Sequence, residues 1–130
     1  MISRRAAMSL IAFAGLLAAA PGFTAEKAKF DWSTFNAEAA AGRPILIEVS
    51  APWCPTCWRQ KPIIAELLDL PEFADLVVLE VDFDTEKDVL RKFGVRQQAT
   101  LLVFKGETEV GRAVGITKRG AIFDLVRRAI

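Results

Sequence analysis

One stretch limits what this chain can fold into more than any other. The apolar run Ile45-Leu46-Ile47-Glu48-Val49 leads through Ser50-Ala51-Pro52 into Trp53-Cys54-Pro55-Thr56-Cys57, and a long helical pattern follows. Cys54 and Cys57 are the only two cysteines. An extended strand that delivers Cys-x-x-Cys to the first turn of a helix is a redox arrangement with a physical basis. The helix start offers unpaired N–H groups and the positive end of the macrodipole, and both favour a thiolate. Cys54 is therefore the expected nucleophile. Cys57 lies one helical turn on, where its sulfur can reach back to close a disulfide; it is expected to be the more buried, resolving thiol. The loop so closed is too small to stabilise the fold much through chain entropy, so the value of the pair is chemical.

The chain has 130 residues, the size of one domain. Residues 1–25 read as a secretory signal and 26–130 as the folded domain. Arg4 and Arg5 form a short basic region, Met8 to Ala20 is almost wholly apolar, and Pro21-Gly22 ends the run. The apolar run is short for a membrane span. Ser3-Arg4-Arg5 has the look of a twin-arginine signal, and Ala20, Ala25 and Ala28 are alternative cleavage points. An uncleaved anchor or a buried apolar segment is the competing reading. Loss of residues 1–25 leaves 105 and, with Arg4 and Arg5 gone, takes the formal charge from +1 to −1. So nearly neutral a surface argues against nucleic acid as the main partner. Export implies the periplasm or another compartment where thiols can be oxidised. The chain has no histidine, which excludes Cys/His zinc sites, histidine bases and Cys–His protease pairs.

Asp31 or Ser33 can cap a helix carrying Trp32, Phe35 and Ala39 at helical spacing, and Gly42-Arg43-Pro44 ends it. Lys27 to Phe30 reads as a linker or an irregular first strand. Ile45 to Ser50 is a buried strand with one carboxylate, Glu48, six residues before Cys54. At that distance Glu48 can sit under the redox helix, reach Cys57 directly or through water, and exchange a proton in an apolar setting. Trp53 is expected to be an exposed aromatic beside the nucleophile. The helix from Pro55 to Leu70 is expected to kink at Pro62, with Arg59 and Lys61 on solvated surface. Leu76 to Phe83 reads as a central strand, with Asp84 or Thr85 capping a helix that Gly94 closes. Thr100 to Lys105 and Thr108 to Val114 form an antiparallel pair, Gly111 marks a bulge or close contact, and Lys118 to Ala129 is the last helix. This order predicts an α/β fold: a central mixed sheet with helices on both faces, and active residues at the carboxyl end of the first long strand.

From Phe30 to Ile130 the sequence resembles the thioredoxin-fold family, within it the exported thiol–disulfide oxidoreductases. The resemblance rests on Trp53-Cys54-x-x-Cys57, Pro62, Asp82-Phe83-Asp84, Phe93-Gly94-Val95-Arg96, Gly111 and Gly115. It implies that Cys54 attacks, that Cys57 resolves, and that Glu48 stands in for the family's buried aspartate. Three departures stand out. Pro55-Thr56 replaces the usual Gly-Pro, Glu80 replaces a frequent lysine, and Ala99 replaces the family's cis-proline before Thr100. A non-proline cis bond costs about 2.5–4 kcal/mol, so the Gln98–Ala99 bond is expected to be trans. Trp53, Pro55, Thr56, Gln98, Ala99 and Thr100 make up the expected substrate-contacting set. The activity so implied is dithiol–disulfide exchange on protein or small-molecule thiols and disulfides. It needs no organic cofactor, a separate partner recycles the pair, and the protein is a monomer. The alternative is a metal-binding or interaction module on the same fold, with Cys54 and Cys57 as metal ligands and further ligands from carboxylates, water or a second chain.

Overall fold

The computed structural model describes residues 22–130; all but the last four residues of the signal read over 1–25 lie outside the described residues. The elements are β1 (Glu26–Lys29), α1 (Trp32–Ala40), β2 (Pro44–Ser50), α2 (Pro55–Asp69), β3 (Val77–Asp82), α3 (Lys87–Phe93), β4 (Thr100–Lys105), β5 (Thr108–Val114) and α4 (Arg119–Arg127). A single 3-10 turn, Pro71–Phe73, links α2 to β3. The strands form one sheet in the order β1-β3-β2-β4-β5. β1, β3 and β2 run parallel, whereas β4 and β5 are antiparallel to their neighbours.

β2 is the middle strand, and all seven of its residues are buried. Its alternate residues feed two cores. Ile45, Ile47 and Val49 join Phe30, Ala39, Val89 and Leu90 beneath α1 and α3. Leu46 joins Ile64, Leu67, Ile122 and Phe123 beneath α2 and α4. Side chains alternate along a strand, so Glu48 and Ser50 point to the same side as Leu46, beneath α2. A slip of one residue in β2 would move that entire set to the other face, so the flanking cores fix the register that places Glu48.

Local chemistry sets the element ends. Asp31 caps α1, its carboxylate accepting from Thr34 N–H at 3.1 Å. Gly42 and Gly94 take left-handed backbone where α1 and α3 end, which glycine does without a Cβ clash. Beneath α1, Trp32 stacks on Phe93 with ring centroids 5.3 Å apart. β5 bulges where Val103 pairs with Gly111 and Phe104 with Glu109. At Gly111 a Cβ would lie 2.9 Å from both Leu125 Cδ1 and Arg128 Nη1, so Gly111 answers to close packing as well as to the bulge.

One element refines the sequence reading and another differs from it. Residues 26–29 form a regular strand, paired with β3 along its length. Of the two readings, linker or irregular strand, the strand holds, and its exposed, lysine-rich composition is that of a sheet edge. The N-cap of α3 is Glu86, without a side-chain cap bond, rather than Asp84 or Thr85. Asp84 is occupied elsewhere: its carboxylate accepts from Trp53, and its N–H donates to Asp82 Oδ1 at 2.8 Å.

Candidate active site

The carboxyl end of β2 turns through Ala51-Pro52-Trp53 and hands Cys54 to the N-cap of α2. Pro55 follows at the first helical position, where its missing N–H costs nothing. Cys54 Sγ accepts from Cys57 N–H at 3.1 Å, so sulfur fills the place of a capping oxygen. That donor and the helix dipole together favour negative charge on Cys54. Both cysteines are free thiols and both are buried, Cys54 at 2 % exposure and Cys57 at 1 %. The expected contrast in burial between them is therefore nearly absent. They pack with Ala51 and Ala99, and Phe83 lies against the group.

Burial, and then the hydrogen bond with Cys54, push the Cys57 thiol up to about 11. Backbone hydrogen bonding from Ala51 and Ala99 acts the other way without offsetting it. At neutral pH Cys57 holds its proton and needs a base to act as a nucleophile.

Glu48 is 1 % exposed, but its surroundings are not apolar as expected. Lys27 Nζ lies 2.8 Å from Glu48 Oε2, an ion contact without hydrogen-bond alignment. Lys61 Nζ is 3.5 Å from Glu48 Oε1 and 3.0 Å from Glu80 Oε1. Lys27 also lies 3.4 Å from Glu80, and Ser50 Oγ donates to Glu80 at 2.9 Å. The parallel pairing of β2 with β3 sets Glu48 beside Glu80, and two lysines bridge the pair of carboxylates. Burial works to raise the Glu80 carboxyl, but hydrogen bonds from Lys61 and Ser50 and the charge of Lys27 hold it below its usual range. Burial likewise works to lower Lys61, and its bond to Glu80 with the charge of Glu48 outweighs that and raises it. Among the described residues Glu48 makes no hydrogen bond to Cys57; its polar contacts are to Lys27 and Lys61. A cavity of about 410 Å³, lined in part by Ser50, Ala51, Pro52, Lys61 and Glu80, opens beside this network and the redox loop.

The remaining predicted residues divide by exposure. Trp53 is 53 % exposed, and its indole N–H donates to the Asp84 carboxylate at 3.0 Å, which fixes the ring beside Cys54. Pro55 is exposed and Thr56 half-buried on the first turn of α2. In the facing loop Gln98 is half-buried, whereas Ala99 and Thr100 are buried and offer mainly backbone. Among the described residues no peptide bond is cis, so the Gln98–Ala99 bond is trans as expected. Ala99 has φ +56°, and no other described non-glycine residue has a positive φ. Proline at this φ is ruled out by its ring, and it would also lack the N–H that Ala99 donates to Val49 O at 2.9 Å.

Three residues of α2 outside the predicted site set also bear on it. Trp58 is 56 % exposed, its indole N–H donating to Pro52 O of the redox loop at 2.9 Å. Lys61, expected on solvated surface, turns inward to the two carboxylates. Its spacing of four from Cys57 was the available signal, because i and i+4 share a helix face. Gln60 is fully buried and donates to the Ala99 and Ile116 carbonyls. For the metal alternative, the described residues bring together no group of three or more His, Cys, Asp or Glu side chains fit to hold an ion.

A family model described as Thioredoxin matches residues 26–128. Thioredoxin H2-1 of Oryza sativa subsp. japonica is 34% identical over 92 residues, 71% of this chain and 64% of that protein's length. The thioredoxin of Bacillus subtilis (strain 168) is 33% identical over 95 residues, 73% of this chain and 89% of that protein. The crystal structure of Trxlp from Edwardsiella tarda EIB202 superposes with a TM-score of 0.76 at 37% identity, covering 78% of this chain and 98% of that one.

Proposed function

The chain belongs to the thioredoxin family, and its closely spaced cysteine pair supports dithiol–disulfide oxidoreductase activity; from that premise we propose that it is an exported reductase of protein disulfides. The observation that carries the chemistry is the seat of Cys54: its sulfur caps α2 and accepts the Cys57 N–H at 3.1 Å. Cys54 thiolate attacks one sulfur of a substrate disulfide, forming a mixed disulfide and releasing the other sulfur as a thiolate. Cys57 gives up its proton and attacks Cys54 Sγ. The second substrate sulfur leaves, and the Cys54–Cys57 disulfide remains for a recycling partner to reduce. Two electrons pass from the pair to the substrate.

Export to the periplasm or a similar compartment rests on the basic, apolar and small-residue pattern of residues 1–25. The reducing direction is supported by a domain that carries no helical insertion between its described elements. Ala99 in place of the family's proline lets the loop over the thiols adopt a shape that proline forbids. The test of direction is a redox titration of the pair. A midpoint near about −270 mV fits a reductant, and one near about −120 mV would make the protein an oxidant.

Glu48 is the base in this proposal, acting on Cys57 through water, since no direct bond joins them. Glu48→Gln is expected to slow release of the mixed disulfide about a hundredfold at pH 7, the low end for general-base loss, and to leave the first attack unchanged. Cys57 is pushed up to about 11, so its thiolate fraction rises with pH up to that value. Without Glu48 the resolving rate is therefore expected to climb about tenfold per pH unit between pH 7 and 10, more steeply than in the parent. Stopped-flow measurement of both steps across pH checks this, and equal slopes would remove Glu48 from the mechanism.

A further inference from the structure

Ala99 combines two features that seldom coincide: a left-handed backbone at φ +56° in a residue with a Cβ, and a position packed against both thiols. Strain of this kind persists only where the surroundings over-determine it, and it gathers at functional sites. The restraints on Ala99 are explicit. Its N–H donates to Val49 O at 2.9 Å, and its carbonyl accepts from Gly115 N–H at 2.9 Å and from Gln60 Nε2 at 3.2 Å.

Gln60 is the unusual partner. It lies on α2 three residues beyond Cys57, and its side chain has no exposure. Both targets of its amide, Ala99 O and Ile116 O at 3.0 Å, are acceptors, so the NH2 group must face them and the oxygen must face away. That oxygen, Oε1, is buried without a hydrogen-bond partner among the described residues. A buried unpaired acceptor is unfavourable, and an apolar side chain would avoid it. The two donated bonds are what the glutamine supplies and an apolar residue cannot. They tie three segments together: the helix that carries both cysteines, the turn into β4, and the connection from β5 to α4.

We infer that Gln60 is a positioning residue that clamps the Ala99 and Ile116 carbonyls and so holds the strained Ala99 loop over Cys54 and Cys57. The substrate consequence rests on the disulfide-exchange reading: with the clamp in place, the loop presents a fixed backbone surface to a protein disulfide arriving at Cys54. Ala99 packs with Cys57 as well as Cys54, so the clamped loop borders both thiols.

The test uses Gln60→Met, which keeps length and bulk but has no donor, with Gln60→Leu as a second variant should the first fold poorly. Amide hydrogen exchange at Ala99 is expected to speed up about tenfold over the parent, the scale of one lost hydrogen bond, while Val78 and Leu79 in β3 follow only the global stability. KM for a protein disulfide is expected to rise about tenfold with little change in kcat, and reaction with a small disulfide reagent to stay as in the parent. Adding Ala99→Gly, which takes this φ without a Cβ clash, is expected to restore part of the loss, so that the two substitutions are non-additive. Exchange at Ala99 that is unchanged, or that accelerates only in step with β3, would overturn the clamp. Exchange that responds while the parent protein reduces no disulfide would keep the clamp and refute the activity instead.

Discussion

Cys54→Ser is expected to abolish disulfide turnover, by roughly a thousandfold or more, because the one remaining thiol, Cys57, holds its proton at neutral pH and is a poor first nucleophile. Cys57→Ser is expected to behave differently: it attacks once and stops as a stable mixed disulfide with its substrate. The asymmetry follows from the helix start. Cys54 Sγ occupies the cap and receives the Cys57 N–H, so its negative charge is stabilised before any substrate arrives. Cys57 has the opposite setting, its thiol pushed up to about 11 by burial and by the bond to Cys54. It cannot begin the reaction, but it is one turn from the sulfur it must attack. Serine at 57 keeps the N–H that supports Cys54 and loses only the second nucleophile. Non-reducing gels and mass spectra of both variants with a protein disulfide separate the roles. A mixed disulfide trapped on Cys57 in the Cys54→Ser variant would reverse them.

The second large effect concerns stability. Lys27→Met together with Lys61→Met is expected to destabilise the fold by about 3 kcal/mol at pH 7. Glu48 is 1 % exposed, and these two ammonium groups are its ion partners. Breaking a buried pair by removing one side strands the remaining charge at a cost of roughly 3–5 kcal/mol. Both lysines are about one-third exposed, at 31% and 37%, which places the expectation at the low end. Each single variant leaves Glu48 one partner and is expected to cost less than half as much. Adding Glu48→Gln to the double variant removes the stranded charge and is expected to recover most of the stability. Urea denaturation midpoints of the parent and the four variants test this. Failure of Glu48→Gln to recover stability would mean that the lysines act through packing of their stems rather than through charge.

This network also shows where the sequence was legible. The strand, the Cys-x-x-Cys turn, the long helix and the late hairpin could be read from apolar periodicity and turn residues, because each is a local pattern. Glu48 was visible as a lone carboxylate in an apolar run. Its neighbours were not: Lys27 comes from an edge strand that resembles a linker, Glu80 from a strand beside β2, and Lys61 from a helix above them. Only sheet register and helix crossing bring these together, and neither is local. Gln60 escaped for the same reason, since its partners Ala99 and Ile116 lie 39 and 56 residues away. The trans bond before Ala99 could be anticipated from the absence of proline. The left-handed backbone at Ala99 could not, because it is imposed by hydrogen bonds from three other segments.

The redox titration that sets the direction of the reaction also tests its foundation if free thiols are counted at each potential. The two sulfurs are expected to disappear together in a single two-electron step, giving a monomer with a Cys54–Cys57 linked peptide. Two thiols that persist under oxidising buffer, or that are lost only to links between molecules, would contradict the account.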